Sequence, residues 1–116
     1  MEKQLEALVT ANEYIGKLKT GIEELVNKIN SGQENNGVLL IPNIADGLQW
    51  LISVIELTKD YHKGSISIED IKEKLPEVIE ALENEDYVLV GDLFNYELLP
   101  ALVNIQEEIK KLLEIN

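Results

Sequence analysis

Asp92, Tyr96 and Glu97 are the residues whose types and spacing come closest to chemistry in this chain. Asp92 and Tyr96, four apart, share one face of a helix, and Glu97 is rotated about 100° from Tyr96. A sheltered carboxylate beside a phenol can act as a general acid or base, or as a recognition point. The structural reading is that Asp92 complements a helix dipole, while Tyr96 buries its ring and its hydroxyl reaches a carboxylate or backbone group on another helix. The structural reading is favoured because interior polar groups are normally paired.

The partners that catalysis would need are missing. His62 is the only histidine, and it is expected as a solvated residue at a helix end, without a serine or acid partner. A di-metal bundle site needs Glu-x-x-His pairs on facing helices, which Glu13, Asp46, Glu56 and Glu97 do not supply. There is no cysteine, hence no disulfide, thiolate ligand or cysteine nucleophile. No catalytic, metal or cofactor-binding residue is therefore assigned, and the chain is expected not to be an enzyme.

Charge narrows the field of partners. Asp and Glu number 22 against 10 lysines, arginine is absent, and the net charge is −12. Such a surface repels phosphate backbones and anionic lipid, so neither nucleic acid nor membrane is an expected partner. The start, M-E-K-Q-L-E-A-L, lacks the pattern of a signal peptide, and the longest unbroken apolar run is Val38 to Ile41. A cytoplasmic location is expected. The bias to Lys, Ile, Asn and Glu points to an AT-rich bacterial genome.

Four helices position these residues. Leu5, Leu8, Ala11, Ile15, Leu18, Ile22, Leu25 and Ile29 recur at three-four spacing and predict an amphipathic helix over 2–30, about 43 Å long. Gly16 and Gly21 within it suggest close approach by another helix. Ser31 to Gly37 reads as a loop. Pro42 opens a second helix, 42–62, which is apolar over more than half its circumference and is expected to be deeply buried. Lys63-Gly64 stops it.

Ser67-Ile-Glu-Asp70 resembles a capping box before a third helix, 68–84, kinked at Pro76. Its outer face carries Glu69, Asp70, Glu73, Glu77, Glu80 and Glu83, most simply a solvated face and, in a second reading, an attraction for a basic partner. Asp86 can cap a fourth helix, 86–115, bent at Pro100. With no strand pattern, the expected fold is all-α: one domain over 1–116, a four-helix antiparallel up-down bundle with helices one and three outside.

The fourth helix is apolar on two sides. One stripe holds Tyr87, Phe94, Leu98, Leu102, Ile105 and Ile109, and the other holds Leu89, Leu93, Tyr96 and Val103. Trp50, Leu89, Asp92, Leu93, Tyr96, Glu97, Leu99 and Val103 accordingly form the candidate interface or pocket.

The segment Asp86 to Pro100, containing D-L-F-N-Y-E-L-L-P, and D-G-L-Q-W-L at Asp46 to Leu51 resemble a small bacterial family of helical proteins of unknown function. The resemblance implies a helical bundle and no assigned activity, so it transfers no catalytic residue. In size and architecture the chain is also similar to flagellar export chaperones, acidic bundles wrapped by a client segment, although none of their motifs is matched. The expected function is a non-enzymatic interaction or chaperone-like adaptor module, whose second stripe pairs two copies or accepts a helix from a protein partner. The alternatives are a ligand-binding or enzymatic bundle using Asp92, Tyr96 and Glu97, and an acidic immunity or antitoxin protein.

Overall fold

Leu8, Ile15, Leu18, Ile22, Leu25 and Ile29 lie on one side of a single helix, α1 (Glu2–Asn30), and all are buried. The computed structural model describes residues 2–115, and helices build all of its regular structure. After α1 come α2 (Glu34–Val38), α3 (Ile41–Leu57), α4 (Lys59–His62), α5 (Glu69–Glu83) and α6 (Tyr87–Leu93). A π-helical turn at Phe94–Leu98 then leads into α7 (Leu99–Ile115). The molecule is 45 Å long and 21 × 19 Å across, so its length is that of α1.

The expectation that the one-faced first helix lies outside is corrected. Extensive contacts join α1 to α2, α3, α6, the π-turn and α7, which makes it the hub. Its stripe is long enough to serve α3 and helix four at once, whereas α3 spans 17 residues. The pairings are antiparallel. Toward α3, Gly21 faces Ile44 and Gly47 faces Leu18 and Tyr14. Toward helix four, Gly91 meets Ile29, while the Gln106 side chain donates to the Asn12 carbonyl at 3.1 Å and accepts from Lys19 Nζ at 3.2 Å. Of the two glycines in α1, Gly16 has no neighbour where a Cβ would sit and Gly21 makes only ordinary contact with Ile44, so close approach is instead a property of Gly37, Gly47 and Gly91.

The second helix is interrupted. Thr58 is buried, and its hydroxyl donates to the Val54 carbonyl at 2.8 Å and the Ile55 carbonyl at 3.3 Å. His62 is not solvated but 4% exposed. Its Nε2 lies 2.8 Å from the Ile55 carbonyl and its Nδ1 accepts from Gly64 N at 3.1 Å. Both bonds form together only in the neutral tautomer with hydrogen on Nε2. Threonine and histidine thus converge on the Ile55 carbonyl, which an unbroken helix would offer to Lys59 N, and α3 ends at Leu57. Lys63, with φ 54°, and Gly64, with φ 80°, turn the chain away in left-handed geometry.

The other boundaries shift less. The loop after α1 contains the short α2, whose Gly37 is buried against Ile29 and Leu25. At the start of α5 the N-cap is Ile68, but Ser67 Oγ still accepts from Glu69 N at 3.3 Å. α5 continues through Pro76 to Glu83. Asp86 caps α6 by accepting from Leu89 N at 3.2 Å.

At Pro100 the chain lacks an N–H, and the ring crowds the carbonyl four residues back. The preceding turn is widened, and Leu99 N donates to the Phe94 carbonyl, five residues earlier. The expected bend is thus expressed as a π-turn. By length and mean hydropathy, 1.6 and 1.3, the helical stretches Glu34–Leu57 and Tyr87–Glu114 would suffice to cross a membrane. Here both pack against α1.

The α1–α3 contact is tight enough to test. A Cβ on Gly47 would lie 2.5 Å from Tyr14 Oη and 2.7 Å from Leu18 Cδ2, and Tyr14 in turn packs edge-on against Trp50 at 5.2 Å. Gly47→Val is expected to lower stability by about 1–3 kcal/mol. The loss reads as a lower urea midpoint with an altered emission of Trp50, the single tryptophan. An unchanged midpoint would contradict the close packing.

Candidate functional site

The sequence-derived cluster is divided by the fold. Leu93 is 6% exposed and belongs to the core, whereas Leu89 at 42% and Tyr96 at 68% face outward. Leu99 and Val103 are half-buried. Asp92 and Glu97 are exposed, so the internal pocket required by the acid–base reading is not formed around them. The structural reading fails at Tyr96 as well, because its ring is not buried. Trp50 lies apart, on α3, sharing a shallow depression with Thr10 and Tyr14 of α1.

The charge of Glu97 acts on one cation, Lys74. The hydrogen bond and charge of Glu77, with Oε2 3.1 Å from Lys74 Nζ, raise the Lys74 pKa above its ordinary value, and Glu97 and Glu73 add to the effect. Among the described residues, no group of three or more His, Asp or Glu is gathered so as to hold a metal ion.

A different site is built by α3 and α5. Neither helix packs extensively on the other: α3 lies against α1, and α5 lies against α6 and the π-turn. Between them runs an open cleft of about 420 Å³. From α3 it is lined by Ile41, Ala45, Gln49, Ile52 and Glu56, spaced four, four, three and four apart along one helical face. From α5 come Lys72, Leu75, Pro76, Ile79 and Leu82, again a single face. Val78 and Phe94 complete the lining, and both are buried.

Each feature of the cleft has a local cause. Pro76 presents its ring toward the gap and leaves the Lys72 carbonyl without the usual N–H partner four residues on. Phe94 begins the π-turn that follows α6. Ile79 stands 56% exposed at the edge, although its position on the apolar face of α5 assigns it to the core. Lys72 Nζ and Glu56 Oε2 approach to 3.8 Å, the one ion pair between α3 and α5 among the described residues. Both groups are well exposed, so the pair contributes at most about 1 kcal/mol.

Sequence reasoning set Ile52, Leu75, Val78, Ile79, Leu82 and Phe94 on apolar helix faces, set Gln49 and Glu56 on a polar strip, and missed the cleft they line. The available signal was the surplus of apolar faces: α3 is apolar over much of its circumference, and only one of its sides is used by α1.

A family model described as Domain of unknown function (DUF8042) matches residues 6–108, and the chain belongs to that family. The matched span takes in both walls of the cleft. No curated protein and no solved structure matches the chain.

The division of the helix-four stripe makes a direct test. Leu93→Asp would bury a charge and is expected to abolish the cooperative fold, whereas Leu89→Asp should keep stability within about 0.5 kcal/mol. Far-ultraviolet circular dichroism during melting distinguishes the two. A folded Leu93→Asp variant would reassign that residue to the surface.

Proposed function

We propose that this protein is a non-enzymatic protein-interaction module that accepts an apolar helical segment of a partner in the cleft between α3 and α5. The cleft carries the proposal. It offers two parallel walls of aliphatic side chains with Phe94 between them, and one turn-spaced apolar stripe would fill it. Its polar side chains, Gln49, Glu56 and Lys72, stand together with Ile79 among the exposed positions.

The chemistry of the lining favours binding over catalysis. It contains no histidine or hydroxyl nucleophile, and its one carboxylate, Glu56, is exposed and paired with Lys72. Ile79, 56% exposed, is an apolar side chain open to solvent that can serve as an anchor.

Substitution at the edge separates docking from folding. In purification from the native host, wild type and the control Leu89→Asp should retain the same partner, and Ile79→Asp should lose it with its melting temperature little changed. Retention of that partner by a folded Ile79→Asp variant would overturn the proposal.

A further inference from the structure

The exposed charge around the cleft specifies the chemistry of its occupant. On α5, Glu69, Glu73, Glu80 and Glu83 are exposed on the turns that carry Lys72, Pro76 and Ile79. On α3, Asp46 and Glu56 are exposed beside Ala45 and Ile52. Of these six acids Glu56 lines the cleft itself, opposite its one cation, Lys72, and the exposed Lys59 lies in the adjoining depression with Glu56 and Glu69, so acids outnumber cations around the cleft. The other lysine of α5, Lys74, is held by Glu77.

A second copy of this chain is a poor occupant. Both copies would carry a net charge of −12, and the exposed apolar positions of helix four, Val88, Leu89 and Tyr96, are accompanied by exposed Asp92 and Glu97, which would be brought against an acidic rim.

Resting on the reading of the cleft as a docking surface, we infer that the occupant is an amphipathic helix flanked by lysine or arginine, one of whose cations displaces Lys72 from Glu56. At 3.8 Å the Lys72–Glu56 contact exceeds hydrogen-bond length, so the exchange breaks no close pair. An incoming guanidinium can engage the carboxylate through two parallel bonds, which a lysine ammonium cannot.

The test uses two synthetic 18-residue peptides with the same leucine and alanine stripe, one with lysine and arginine on its flanks and one with glutamate. Each is titrated against the full chain by fluorescence anisotropy. The basic peptide is expected to bind at least about tenfold tighter than the acidic one, and to weaken as salt screens the rim. Lys72→Ala should tighten it, Glu73→Lys with Glu80→Lys and Glu83→Lys should reverse the preference, and Ile79→Asp should abolish binding. Equal binding of both peptides, lost in Ile79→Asp, would overturn the charge assignment and leave the docking surface standing. Binding of neither peptide, or binding of the basic one unaffected by Ile79→Asp, would overturn both.

Discussion

Every larger element of this protein except α5 is placed by contact with one apolar stripe, that of α1. Over 29 residues the stripe offers Leu8, Ile15, Leu18, Ile22, Leu25 and Ile29 at helical spacing, and α2, α3, α6 and α7 all close on it. The approach is close where the facing residue is glycine: a Cβ at Gly47 would collide with Tyr14 and Leu18, and one at Gly91 would press on Ile29 at 3.3 Å. Burial along this line is the main source of cohesion, since exposed ion pairs such as Lys111–Glu108 contribute little.

Loyalty to α1 leaves another seam unfilled. α3 spends one face on α1, and α5 is carried by α6 and the π-turn, so the two helices stand side by side without closing on each other. The apolar side chains between them continue from the core through Ile52, Val78 and Phe94, each buried, to Ile79 at the surface. The cleft is therefore an extension of the core toward solvent.

Much of the architecture was legible from periodicity. The bounds of α1 and the capping role of Asp86 follow from local sequence, because helix periodicity and end chemistry are local properties. The end of α3 was not legible: it depends on a hydrogen bond between His62 and Ile55, seven residues apart, which requires the chain to have turned already. Lys63-Gly64 signalled the stop but not the burial of the histidine before it. For the site, periodicity identified apolar faces correctly and could not say which faces meet. Leu93 and Tyr96 therefore share a stripe on paper, yet one is core and the other surface.

The π-turn at Phe94–Leu98 works as a phase correction. Counted along an unbroken α-helix, the buried positions Val90 and Leu93 point about a quarter of a turn away from Leu98, Ala101, Leu102, Ile105 and Ile109. One surplus residue in the helix offsets its two halves by a comparable angle, which brings Val90 and Leu93 into line with the buried residues that follow. Pro100, itself exposed, thereby sets the rotational alignment of side chains up to ten positions earlier in the chain. If this turn relaxed to α geometry, the two halves could not both keep their inward residues, and α6 would have to roll about its own axis with α5 attached.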